Sequence, residues 1–297
     1  MENNTFMKHF TDQILAACAE KQSIACVGLD PQIAHIPGFL LEKHSPADAL
    51  LAFNQGIIDA VADLVPVVKL QSAFYELLGA DGVRVFHETL KYAKSKGLLT
   101  IADAKRNDIG HSAQAYADAF LGQDGFDADS VTVTPYLGYD GVKPFLEVAR
   151  KNGKGVFILV KTSNPSSGDF QDLIMKDKSE AALFEIVGQF VDSWGANDTG
   201  ESGYSCLGAV VGATFPDQAK RLRTLMPQTL FLVPGYGAQG GTAADVKVCL
   251  NEDGKGAIVN SSRGIIGAWE KRADLKPQEF AKAAREAVEV MNADLKF

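Results

Sequence analysis

The sequence predicts an α/β protein folded as a (β/α)8 TIM barrel, and three observations carry that reading. Short, nearly continuous apolar runs alternate with helix-period stretches along the whole chain, the pattern of βα units feeding a parallel sheet. There are eight such runs, each followed by a helical stretch, which favours a closed barrel over a doubly wound open sheet. No Pro/Ser-rich linker divides the 297 residues. One domain over 1–297 is therefore expected, because α/β barrels commonly run to about 250 residues as a single unit.

Taken in order, the chain begins with an amphipathic helix over about residues 6–21, with Phe6, Phe10, Ile14 and Cys18 on one face. It precedes the first strand and is suited to capping the barrel bottom. The strands are expected at Ile24–Asp30, Val65–Gln71, Leu98–Lys105, Ser130–Pro135, Gly155–Thr162, Cys206–Ala213, Thr229–Tyr236 and Gly256–Ser262. Apolar side chains fill both faces of these runs, as in strands covered on both sides. Between them, Ala181–Trp194 aligns Leu183, Phe184, Val187, Val191 and Trp194 on one helical face. The last helix, Gln278–Met291, does the same with Phe280, Ala284, Ala287, Val288 and Met291. The longest irregular stretch, Ser163–Lys178, follows the fifth strand, and in a barrel such a loop overhangs the catalytic mouth as a lid.

Composition narrows the function classes. A formal charge of −8 argues against a broad nucleic-acid or anionic-membrane surface, so an anionic substrate needs a local basic pocket. Cys18, Cys26, Cys206 and Cys249 form no C-x-x-C pair and read as buried thiols in a reducing compartment. The N-terminus lacks a signal-peptide pattern and no apolar run reaches ~18 residues, so a cytoplasmic protein is expected. The five histidines show no zinc-binding spacing, and no G-x-S-x-G nucleophile elbow occurs.

Charge at the strand ends is the informative signal. Barrel strands normally end in apolar or small residues, yet the third ends LTIADAKRND. Asp103 and Lys105 are two apart and leave the same face, with Ala102 and Ala104 on the other. Lys69 ends the second strand and Asp30 the first, so four charges converge where barrel enzymes place their chemistry. A plain ion-pair layer explains them poorly, because buried pairs stabilise little after desolvation. Asp108 lies past the strand and by itself could serve the following helix, Ser112–Leu121. Asp103 and Asp108 could bind Mg²⁺, but Lys105 between them competes as counter-charge.

The seventh strand runs into VPGYGAQGGT, where Gly235, Gly237 and Gly240 match G-x-G-x-x-G. A dinucleotide fingerprint belongs in an opening βαβ unit with an acidic residue ~20 positions on, and Asn260 stands there instead. The loops after strands seven and eight are where barrels hold phosphate. Glycine amides and the positive end of the following helix are expected to face the anion, with Gln239 and Arg263 supplying side-chain donors.

Asp103-Ala104-Lys105-Arg106-Asn107-Asp108-Ile109 resembles the D-x-K-x-x-D-I signature of the orotidine 5′-monophosphate decarboxylase family, and its context is similar to the longer bacterial branch. Lys69, Ser163-Asn164-Pro165, Pro234–Gln239 and Ser262-Arg263-Gly264 match in the same order, so the resemblance spans most of the chain. It implies decarboxylation of a pyrimidine nucleotide without cofactor or metal, by an alternating array of Lys69, Asp103, Lys105 and Asp108. It also implies a homodimer in which Asp108 and Ser112 reach the partner's site, Ser112 standing where the family usually has Thr. Asp30 and Lys69 are implied to hold ribose hydroxyls, Ser163 to read the pyrimidine edge, and Gln239, Ser262 and Arg263 to bind at the phosphate end. The alternatives are a metal-dependent sugar-phosphate decarboxylase or aldolase, and a non-catalytic nucleotide-binding barrel.

Overall fold

A computed structural model describes residues 8–176 and 180–296. Phe6 of the expected first helix, and Asp177 and Lys178 of the loop after the fifth strand, lie outside the described residues. Eight parallel strands close into one barrel: β1 (Ala25–Gly28), β2 (Val67–Gln71), β3 (Leu99–Arg106), β4 (Ser130–Val133), β5 (Gly155–Lys161), β6 (Ser205–Val211), β7 (Thr229–Val233) and β8 (Ala257–Ser261). Each expected run overlaps one of them; β3 extends one residue past its run, to Arg106, and β6 begins one residue before its run, at Ser205. Around the barrel stand α2 (Pro46–Val61), α3 (Gly79–Ser95), α4 (Gly110–Leu121), α5 (Tyr139–Asn152), α6 (Leu183–Gly195), α7 (Pro216–Leu225), α8 (Ala243–Lys247) and α9 (Phe280–Asp294), preceded by α1 (Phe10–Lys21).

The period of two along each strand sorts side chains into two cores. Val27, Val68, Leu70, Ala102 and Val131 point outward and pack under the helices. Cys26, Val67, Ile101, Phe157, Leu230, Leu232 and Ile258 point inward and fill the lower barrel. α1 plugs that end: Phe10, Ile14 and Cys18 join the inward cluster, and the Phe10 ring meets Phe157 edge-on at 6.0 Å. Gly155 is required beneath it, since a Cβ there would fall 2.3 Å from the Phe10 ring.

The segment after β5 is more ordered than its sequence suggests. It forms a 3-10 turn (Pro165–Ser167), one helical turn (Gly168–Gln171) and a strand, Ile174–Met175, paired antiparallel with Ala181–Ala182. Lys161, fully buried at the end of β5, fastens it by donating to Asp172 (2.7 Å) and Ser167 (3.1 Å). Phe170, Leu173, Ile174 and Met175 are left exposed on this loop. A polar-looking stretch thus owes its local order to one buried ammonium that needs partners.

Because α1 seals the end of the barrel away from the strand C-termini, its contribution separates from function. Phe10→Ala is expected to lower unfolding free energy by about 3–5 kcal/mol while leaving substrate KM unchanged, measured by urea denaturation and steady-state kinetics.

Candidate active site

Above the apolar layer the inward positions change character. The next residues inward are Gly28 on β1, Lys69 on β2, Asp103 on β3 and Asn260 on β8, with Asp30, Gln71 and Ser262 one step higher. Gly28 makes room for this layer: a Cβ there would lie 2.7 Å from Ser262 Cβ, 3.1 Å from Asn260 Oδ1 and 3.2 Å from Asp30 Oδ2.

Lys69, 4% exposed, donates to Asp103 Oδ2 at 3.0 Å and to both Asp30 oxygens at 3.3 Å. Lys105 Nζ donates to the other Asp103 oxygen at 2.6 Å. The result is an alternating chain, Asp30–Lys69–Asp103–Lys105, at the C-terminal mouth. Burial alone would push Lys69 toward its neutral form, but the carboxylates of Asp103 and Asp30 outweigh it and raise its pKa. Burial likewise favours protonated Asp103, and the charges of Lys69 and Lys105 overcome it, holding that carboxyl well below the usual range.

Sequence spacing put Lys105 and Asp103 on one face as neighbours in a regular strand. The structure brings them together differently. Between Ala102 and Arg106 the β3–β4 register slips: Ala102 pairs with Val131 and Arg106 with Val133. Lys105 stands in that bulge with φ +47°, a left-handed conformation that costs roughly 1–2 kcal/mol for a non-glycine residue. Its side chain is 42% exposed, so the amine sits at the rim of the mouth rather than deep in the crevice.

Several residues missed in the sequence complete the cluster. Gln71 donates its amide to Asp103 at 3.2 Å, and its backbone N–H to Asp30 at 2.9 Å. The Thr132 hydroxyl donates to Asp103 Oδ1 at 2.9 Å. Asn260 accepts from Cys26 at 3.6 Å within the same layer. For Gln71 and Asn260 the one sequence signal is parity, each standing an even number of residues from an inward apolar position of its own strand, Val67 and Ile258; β4 has no inward apolar residue to mark Thr132.

Asp108 and Ser112 are not brought into the cluster. Asp108 accepts the Ile109 N–H at 2.8 Å, and Ser112 is exposed on α4. Ser163 packs between Gly212 and Gly235, whose missing side chains leave space for it, and its carbonyl accepts from Thr214 at 3.2 Å.

A cavity of about 890 Å³ opens beside the charged chain. Asp30, Gln239, Asn260, Ser262 and Arg263 line it, together with Gly235–Ala238. Its size suits a nucleotide-sized ligand. Among the described residues Arg263 has no ion-pair partner, so its guanidinium is available to an anion. The glycine loop works otherwise than its motif suggests. The amides of Gly237, Gly240 and Gly241 bond to Gly241, Gly237 and Gly235 carbonyls and close the loop on itself. The helix after it, α8, has five residues and is capped internally by Thr242 and Asp245. These glycine amides and this helix end are thus already occupied within the loop, whereas the Arg263 side chain is not.

Comparisons with known proteins bear on the family and the fold. The family model described as orotidine 5′-phosphate decarboxylase / HUMPS matches residues 25–277. The orotidine 5′-phosphate decarboxylase of Caldicellulosiruptor bescii is 41% identical over 97% of this chain and 99% of its own. That of Petrotoga mobilis is 45% identical over 93% and 94%. The solved structure of Leishmania donovani OMP decarboxylase superposes with a TM-score of 0.74 at 31% identity, covering 96% of this chain and 99% of that one.

The two pKa shifts fix a pH window. Depressed Asp103 contributes stability above the unfolded-state value near 3.9 that fades as pH falls below it, whereas raised Lys69 contributes below about 10.4 and fades as pH rises through its folded value. The stability difference between wild type and Asp103→Asn should therefore be flat from about pH 5 to 9 and narrow by up to about 1.4 kcal/mol per unit below pH 4. Urea titrations at stepped pH measure it; a difference independent of pH down to 2 contradicts the depressed carboxyl.

Proposed function

This chain belongs to the orotidine 5′-phosphate decarboxylase / HUMPS family, and we propose that the ammonium of Lys105 carries the chemical step of its reaction. That reaction is the conversion of orotidine 5′-monophosphate to uridine 5′-monophosphate in pyrimidine biosynthesis. When the C6–carboxylate bond breaks, its electron pair stays on C6, where the ring delocalises it poorly. A positive Nζ fixed at that point stabilises the charge as it develops. It then delivers its proton to C6, CO2 departs, and the neutral amine recovers a proton from water.

The observation that carries this reading is the alternating chain ending in Lys105. Asp103 orients the amine at 2.6 Å and sets a negative charge against the carboxylate that leaves. Asp30 lines the cavity and Lys69 donates to it from below, and the pair suits ribose hydroxyls. Gln239, Ser262 and Arg263 suit the phosphate, and Ser163 the pyrimidine edge. Binding energy at the phosphate, remote from C6, drives the Ser163–Lys178 segment over the mouth, which removes water from the site. The carboxylates of the cluster, Asp30 and Asp103, are already engaged by lysines, which favours this reading over a metal-dependent sugar-phosphate enzyme. The complete charged set likewise disfavours a barrel that only binds nucleotide.

The working form is a homodimer in which Asp108 and Ser112 of one subunit complete the other's site. Exposed apolar side chains beside Asp108 support it: Ile109 is 56% exposed, Tyr136 85% and Leu137 44%. Tyr136 and Leu137 lie just before α5, whose Gly141 runs close to Asp108: a Cβ there would fall 3.1 Å from the Asp108 carbonyl oxygen. The described residues fold as one domain around the single barrel, and the enzyme is cytoplasmic. No helix among the described residues is long and apolar enough to cross a membrane.

Three outcomes are expected. Ultraviolet assays should show orotidine monophosphate turnover unchanged by excess EDTA; loss with chelator would favour the metal-dependent reading. Arg263→Ala should raise KM about 10- to 100-fold, the worth of a charge-assisted hydrogen bond to phosphate, with a smaller effect on kcat. Lys105→Ala and Asp108→Ala should each be inactive, and mixing them with subunit exchange should restore about one quarter of wild-type activity, since half the dimers then hold one intact site. No recovery despite proven exchange would remove the shared site.

A further inference from the structure

We propose that Thr132 is a positioning residue for the reaction: its hydroxyl holds the Lys105 amine at its working point by tying both ends of that residue to Asp103. The proposal rests on the reading that Lys105 delivers the proton. Lys105 occupies the register slip between β3 and β4 with a left-handed backbone, so the ordinary sheet ladder does not set its conformation. The Lys105 N–H instead donates to Thr132 Oγ1 at 2.9 Å. The same hydroxyl donates its own proton to Asp103 Oδ1 at 2.9 Å, and that oxygen also accepts from Lys105 Nζ at 2.6 Å.

These three bonds close a ring. It starts at the Lys105 backbone, passes through the Thr132 hydroxyl and the Asp103 carboxylate, and returns to Lys105 through Nζ. One end of the lysine is therefore referenced to the other by groups on two neighbouring strands. The hydroxyl has one proton, and the carboxylate can only accept, so the direction of each bond is fixed. Thr132 is 1% exposed, which denies water the chance to replace it. Bonds to a carboxylate are stronger than neutral ones, and without this one Asp103 Oδ1 is held by the Lys105 amine alone, since Lys69 and Gln71 grip Oδ2. The lysine amine is half exposed, so its long side chain has many alternatives once that carboxylate moves.

Thr132 does not line the cavity, and a purely structural threonine would affect stability alone. The ring predicts a different split. Thr132→Val keeps the shape and removes the hydroxyl; kcat should fall about 10- to 100-fold, the usual cost of a reacting group displaced by an ångström. Affinity for uridine monophosphate, measured by calorimetry on the whole protein, should stay within about threefold, because ground-state contacts lie elsewhere. Thr132→Ser, which restores the hydroxyl without the methyl, should recover kcat to within about threefold of wild type.

The proposal is overturned if Thr132→Val keeps kcat within about twofold, if product affinity falls along with kcat, or if Thr132→Ser is as impaired as Thr132→Val. Should Thr132→Val not fold, Thr132→Ala is judged by the same criteria. Retention of turnover by Lys105→Ala would instead remove the underlying reading, whatever the Thr132 variants do.

Discussion

A lysine buried in a barrel interior must keep its counter-charges, and much of the upper barrel follows from that need. Lys69 cannot remain an ammonium at 4% exposure without Asp30 and Asp103 on either side. Those carboxylates in turn require donors on their remaining lone pairs, which Gln71, Thr132 and Lys105 supply. Space for the layer comes from Gly28, where any side chain would collide with three neighbours. Partial satisfaction of such a network would be worse than an apolar core, so its members stand or fall together.

The barrel separates stability from chemistry along its axis. Below Lys69 the inward positions are apolar and closed by Phe10 and Ile14; above it they are polar and open to a large cavity. Charge alone does not identify the working end. A second ionic cluster at the opposite end ties Lys154 to Asp127 and Asp129, and there too the neighbouring carboxylates outweigh burial and raise the lysine pKa. It fastens the starts of β3, β4 and β5. Position relative to the strand ends gives the two clusters different meanings.

Local irregularity marks the mouth that carries the charged chain. The register slip in β3, the left-handed Lys105 and the self-bonded glycine loop after β7 all lie at the C-terminal mouth. Each re-aims or frees a group that a regular strand would have pointed into its neighbours. The segment after β5 follows the same logic: Lys161 holds its base while its apolar residues remain uncovered.

The strands, their order and the charges at their ends were legible in the amino-acid sequence, because burial on both faces writes continuous apolar runs and leaves any interruption by charge conspicuous. The residues Asp30, Lys69, Asp103 and Lys105 could be grouped on that ground alone, and Arg263 and Gln239 by their place after the last two strands. What the sequence could not contain is the bulge that turns Lys105 to the rim, the hydroxyl of Thr132 that spans to it from the next strand, and the closure of the glycine loop on its own amides. All three depend on register between segments separated by tens of residues, and register is fixed only when every strand of the barrel has found its two neighbours.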